Sequence, residues 1–147
     1  MNKDTRLSDV LHVLLHMAQF DEPLTSEVLA ASMGTNPAVF RRTMAGLREA
    51  GYVRSGKGHG GGWQLNQPLN EITLLAVYEA LNRPTLFAIG NRSERPNCLI
   101  EQKVNAALFD TMAQAEALFV ERFASITLDQ LEPDKMEPLS RHCRKAG

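Results

Sequence analysis

The stretch Thr35 to Leu65, TNPAVFRRTMAGLREAGYVRSGKGHGGGWQL, decides how this chain is built. It reads as a helix, a short strand, a glycine loop and a second strand. Asn36 is a strong N-cap, and Pro37 falls at the first helical position, where a missing N–H costs nothing. Phe40, Met44 and Leu47 recur at helical spacing and predict the buried face. Gly51 follows Ala50 as a helix stop. Arg41, Arg42, Thr43 and Arg48 take the remaining surface. Tyr52-Val53-Arg54-Ser55 then turns β-like, and Trp63-Gln64-Leu65 returns as an alternating strand. Between them lie five glycines, with Lys57 and His59 interleaved. A hairpin tip with so little side-chain bulk can lie against a polymer backbone. A basic helix followed by such a hairpin is what a winged helix offers to duplex DNA.

Working outward, Leu7 to Phe20 predicts a first helix with Val10, Leu11, Leu14, Leu15, Met17 and Ala18 as its apolar stripe. His12 and His16 fall outside that stripe and read as surface histidines. Asp21-Glu22-Pro23 breaks the helix. Thr25 caps a second helix, Ser26 to Met33, with Val28, Leu29 and Ala31 as its apolar positions. The turn Gly34-Thr35-Asn36 leads straight into the arginine helix, and two short helices joined this way carry a helix-turn-helix signature. On the other side, Thr73 caps a helix from Leu74 to Leu81, ended by Pro84. Thr85 to Asn97 has no period and reads as a mobile loop. Asn97 then caps the longest helix, Cys98 to about Ile126, with Val104, Leu108, Met112, Ala115, Leu118, Phe119 and Phe123 spaced by three or four. At ~28 residues it spans ~42 Å, more than a small winged-helix core can cover. Its stripe needs a second surface, and the same helix from another subunit is the simplest one. Thr127 caps a short end helix, Leu128 to Leu131. The fold expected is therefore mainly α with a small β-hairpin: a winged helix-turn-helix domain over residues 1–83, a flexible loop over 84–97, a dimerisation helix and short end helix over 98–132, and a tail over 133–147.

The chain has 147 residues and 44% apolar composition, enough to bury one core. It carries no run of ~18 apolar residues that would span a membrane. The opening MNKDTRLSDV lacks an apolar signal core, so a cytoplasmic location is expected. The net charge is −1, but its distribution says more than its sum. Thr35 to Trp63 holds five Arg or Lys and one Glu; Cys98 to Glu137 holds three basic and eight acidic residues. Such a molecule can turn one end toward phosphate and keep the other away from it. The two cysteines, Cys98 and Cys143, make neither a disulfide scaffold nor a metal-ligand spacing.

The ordered set TNPAVFRR…LREAGYVRSGKGHGGGWQL…EITLLAVYEAL resembles the Rrf2 family of bacterial winged-helix transcription regulators. The resemblance runs over nearly the whole chain, including PNCLIEQKV ahead of the long helix. It implies a homodimer that binds a pseudo-palindromic operator as a repressor or, less often, an activator. It also implies a recognition helix in the major groove and a basic wing residue in the minor groove. Carried over by position, Ala38, Arg41 and Arg42 lie on the groove-facing part of the helix. Lys57 stands where the family commonly has arginine; lysine lacks the planar fork, which weakens any preference for a narrow minor groove. Cluster-binding members carry three closely spaced cysteines before the long helix. Here Cys98 alone lies in that region, so no iron–sulfur cluster of the usual type is expected.

The candidate DNA-binding set is thus Thr35, Asn36, Ala38, Arg41, Arg42, Arg48, Lys57 and His59. Arg41 and Arg42 suit guanine edges or phosphates, Arg48 suits phosphate or a neighbouring Glu, and Lys57 and His59 suit backbone or minor groove. Trp63 reads as a core-closing ring. Cys98 near a helix N-terminus is a candidate thiol switch, with a buried small hydrophobe as the alternative. No nucleophile–base pair, phosphate loop or metal set points to an enzyme; the glycines open a strand, not a helix. The other reading compatible with the sequence is a winged helix that binds proteins through its acidic long helix. Whether a small ligand sits between the winged domain and the long helix, beside the loop, is left open.

Overall fold

The structure is a computed structural model that describes residues 3–93 and 97–134. Its elements in chain order are α1 (Arg6–Met17), α2 (Ser26–Ser32), α3 (Pro37–Glu49), β1 (Val53–Ser55), β2 (Trp63–Leu65), α4 (Leu74–Ala80) and α5 (Leu99–Ala124), with 3-10 turns at Leu69–Glu71 and Leu128–Leu131. Most of the tail expected over 133–147, and residues 94–96 of the expected loop, lie outside the described residues. No helix among the described residues is long and apolar enough to cross a membrane.

The caps explain where the central helices start. Thr25, Asn36 and Thr73 each hold extended backbone and accept a hydrogen bond three residues on, from Val28, Val39 and Ala76. Each satisfies one of the amides a helix start leaves unpaired. Phe40, Met44 and Leu47 of α3 are fully buried beside Val10, Val13 and Leu14 of α1 and Leu29 of α2. Burying side chains of that size stabilises the fold by roughly 1.5–3 kcal/mol each.

Four sequence expectations shift. Helix α1 ends at Met17, not Phe20, because the amides of Gln19 and Phe20 bond three residues back, to His16 and Met17, and tighten the chain into a turn. In α2 the buried residues are Leu29, Ala30 and Ser32, while Val28 is exposed; seven residues hold too few apolar positions to fix a helical phase. Cys98 is the N-cap of α5 and not its first residue, so Asn97 lies outside the helix. The Thr127 hydroxyl donates to the Asp129 carboxylate and caps no backbone amide, and the turn that follows is 3-10.

The hairpin is tied down at its base. Val53 pairs with Leu65, Arg54 with Gln64 and Ser55 with Trp63. Leu24 joins β2 as a bridge: Trp63 N donates to Leu24 O at 2.8 Å, and Leu24 N donates to Trp63 O at 3.1 Å. The Trp63 ring is buried edge-on against Phe40, centroids 5.5 Å apart, and its indole N–H donates to Ser26 Oγ at 2.9 Å. One residue of β2 therefore touches α2, α3 and the Leu24 segment. Gly62 makes room for this bridge, since a Cβ there would lie 2.7 Å from the Leu24 carbonyl oxygen and its φ is +150°.

Two further contacts define the frame. Gly46, in the middle of α3, lies against the last turn of α4, where a Cβ would collide with the Ala80 carbonyl. The chain after α5 returns to the core: Leu74 N donates to Ile126 O and Leu128 N donates to Ile72 O, each at 2.9 Å, and Leu128 is fully buried.

Two substitutions test this packing by urea denaturation. Gly46→Ala, which in a free helix would stabilise by about 0.5–1 kcal/mol, is expected instead to destabilise by about 1–3 kcal/mol, because α3 and α4 must separate. Trp63→Phe keeps a ring but leaves Ser26 Oγ without its donor, and is expected to cost about 1–2 kcal/mol. An unchanged or higher midpoint in either variant contradicts the contact described.

Candidate nucleic-acid interface

The buried edge of α3 is occupied by Phe40, Met44 and Leu47, so the opposite edge is free of the core. Ala38, Arg41 and Arg42 are exposed along it. Asn36 is exposed at the helix start, where its side-chain oxygen accepts from the Val39 amide at 3.0 Å. Thr35 is half-buried in the turn, its amide bonded to Ala30 O at 3.0 Å. These residues open a helix whose amides and dipole favour an anion at this end.

Arg48 lies apart from this group in its contacts. Its guanidinium donates to Ser55 Oγ at 3.1 Å and stands 5.6 Å from the centre of the Trp63 ring. It is a strut between α3 and the hairpin, and a cation over an indole face contributes about 0.5–1 kcal/mol at an exposed site. Arg41 precedes it by seven residues, two turns along the same edge of the helix. The edge carrying Arg41 is thus the edge that borders the hairpin. Lys57 and His59 are exposed on the loop between β1 and β2, in the glycine-rich tip.

Two residues absent from the sequence reading join this surface. Val39 is exposed on the first turn of α3 beside Ala38, an apolar contact of the kind that meets a thymine methyl. The phase of the Phe40-Met44-Leu47 stripe places it outside the core and is the signal that could have found it. Arg54 is exposed on β1 and donates to Gln64 Oε1 at 3.2 Å, so it adds charge at the base of the hairpin.

Cys98 is a free, exposed thiol at the start of α5. Among the described residues no three His, Cys, Asp or Glu side chains come together as a metal site. His12 and His16 on α1 approach through their Nε2 atoms at 2.9 Å. Iron–sulfur clusters take about four protein ligands, mostly thiolates, so the donor set in this region does not fit one.

Comparison with known proteins places these features. The family model for Rrf2, described as an iron-dependent transcriptional regulator, matches residues 3–134. The HTH-type transcriptional regulator YwnA of Bacillus subtilis, itself named only provisionally, is 32% identical over 126 residues, 85% of this chain and 92% of its own. A transcriptional regulator from Lactobacillus plantarum, also a provisional assignment, superposes with a TM-score of 0.72 at 25% identity, over 86% of this chain and 87% of its own. CymR of Staphylococcus aureus shares the fold, with a TM-score of 0.62 at 20% identity over 91% of this chain and 99% of its own. The helix-turn-helix, the glycine-tipped wing and the long helix after them are the parts this likeness covers, and the chain belongs to the Rrf2 family of winged-helix transcriptional regulators.

Proposed function

We propose that the chain is a sequence-specific DNA-binding transcription regulator that represses from a pseudo-palindromic operator as a cytoplasmic homodimer. The observation that carries this reading is the run of exposed basic residues on α3 and on the hairpin braced to it by Arg48: Arg41 and Arg42 on the helix, Lys57 and His59 on the loop. In this reading Ala38, Val39, Arg41 and Arg42 meet base edges in the major groove. Thr35, Asn36 and Arg54 meet phosphate, and Lys57 and His59 follow the backbone into the minor groove. Arg48 acts through the wing it braces and reaches phosphate only from its free guanidinium edge.

The dimer reading rests on α5. It has no buried residue, although Phe119 and Phe123 pack on Tyr78 of α4 with ring centroids 5.7 and 6.0 Å from it. Ile100, Val104 and Leu118 lie on an adjoining strip and are exposed, Leu118 at 68%. A rod of 26 residues with that much apolar surface in water calls for a partner helix. A second copy would set two α3 helices about one DNA turn apart. Within the same reading Cys98 is assigned as the position where oxidants weaken operator binding. Cys98→Ser should then abolish any response to peroxide or diamide.

The reading is tested by fluorescence anisotropy with duplexes from the region upstream of the chain's own gene. Arg41→Ala is expected to weaken specific binding by about five- to a hundredfold, as a lost bidentate base contact does, with little change on random duplex. Lys57→Ala should weaken both alike and lower the salt slope by about one. Equal affinity of Arg41→Ala and the parent on every fragment would favour a protein-binding winged helix instead. Separately, Leu118→Glu should halve the mass seen by light scattering while leaving the helical signal unchanged; a parent chain that already runs as a monomer contradicts the dimer.

A further inference from the structure

A cavity of about 230 Å³ opens between the end of α4, the chain that follows it and the middle of α5. Its walls are Tyr78, Arg83, Leu86, Phe87, Met112 and Glu116. It is smaller than the ~300–1,000 Å³ typical of drug-sized sites and suits one small metabolite. Leu86, Phe87 and Met112 give it an apolar wall. Arg83 and Glu116 bring opposite charges to it from two different elements, one after α4 and one on α5.

The backbone beside the cavity is in an unusual state. Asn82 and Arg83 both have positive φ, 61° and 49°. Two consecutive non-glycine residues in the left-handed region persist only where their surroundings hold them, and such positions cluster at ligand clamps and switches. Here the Asn82 and Arg83 amides bond to Glu79 O at 2.9 Å and Tyr78 O at 3.1 Å, and the Tyr78 hydroxyl donates to Pro84 O at 2.9 Å. Burial, with the Glu116 charge second, pushes the Tyr78 phenol up, so it stays a donor. Further on, Asn105 Nδ2 of α5 donates to Ser93 O at 3.0 Å, which ties the far end of the described loop to the same helix.

We propose that this cavity binds a free α-amino acid with an apolar side chain, its carboxylate on Arg83 and its ammonium on Glu116, and that occupancy is transmitted to α3. The acid's side chain lies against Phe87, Leu86 and Met112. Arg83 already holds Glu79 at 3.0 Å with one edge of its fork, leaving further N–H donors for a carboxylate. Transmission needs a rigid link, and Gly46 provides it: α3 sits directly on the Ala80 carbonyl, three residues before Arg83. A ligand that moves the end of α4 moves α3 with it. The regulatory half of this proposal rests on the reading of α3 as a DNA-contacting helix; the binding half does not.

The test uses the full chain without DNA, with L-leucine, L-methionine and L-phenylalanine as probes in calorimetry and thermal-shift assays. At least one is expected to bind and raise the melting temperature. Its N-acetyl and C-terminal amide forms should bind about tenfold more weakly or worse, as loss of a charged hydrogen bond implies. Arg83→Gln and Glu116→Gln, both exposed positions, should each lose a similar factor with the fold intact. No binding by any probe, or binding untouched by both substitutions, overturns the site. If an amino acid binds, DNA affinity should change when it saturates the protein. A DNA affinity that stays constant overturns the coupling, whereas a chain that binds the amino acid and no DNA defeats the regulator reading alone.

Discussion

A two-stranded ribbon of three residues a side has no stability of its own in water. The wing of this protein is held by what happens at its base, above all by the Trp63 indole. Its ring lies edge-on to Phe40, its N–H is taken by Ser26, and its backbone bridges Leu24. Arg48 covers the same ring from α3 and reaches Ser55 on the opposite strand. The consequence is geometric. The glycine tip contributes no packing, yet its two ends are fixed to the helix that precedes it. The base of the wing and α3 therefore hold a set relation, which recognition of a rigid duplex demands.

The other end of the molecule follows a different logic. The chain leaves the core after α4, travels along α5, and comes back at Ile126 and Leu128 to bond with Leu74 and Ile72. The short end segment, which reads as an appendage of the long helix, is part of the winged-helix core. The long helix is thereby pinned near its C-terminal end, where Phe119 and Phe123 meet Tyr78. The rest of it, from Leu99 through Phe109, presents exposed apolar side chains. Domain and rod thus share their joint with the cavity around Arg83 and Glu116, so whatever alters that joint acts on both.

Much of this was legible in the residues. Asn36-Pro37 and the Phe40-Met44-Leu47 spacing located α3, because cap chemistry and a three-to-four period are local signals. Thr25 and Thr73 were legible as caps for the same reason. The glycine hairpin was legible because β-like residues flank the five glycines on both sides. What the sequence could not carry were contacts between distant segments. Nothing local says that Ser26 accepts the Trp63 indole, that Gly46 faces Ala80, or that Arg48 spends its charge on a ring. The phase of α2 was misread because seven residues do not determine it. In α5 apolar residues lie on several sides, so a spacing rule selects one strip without saying which strip packs on α4. The left-handed pair Asn82-Arg83 had no signal at all, since neither residue type demands that conformation.

The family shows the architecture, and the proposed operator recognition rests on a single edge of charge and shape. Selection of bound duplexes from a random DNA pool tests that edge most directly. The account predicts enrichment of an inverted repeat whose half-sites are about one helical turn apart, ~34 Å centre to centre. A pool that stays random, or a bound motif without two-fold symmetry, would contradict it.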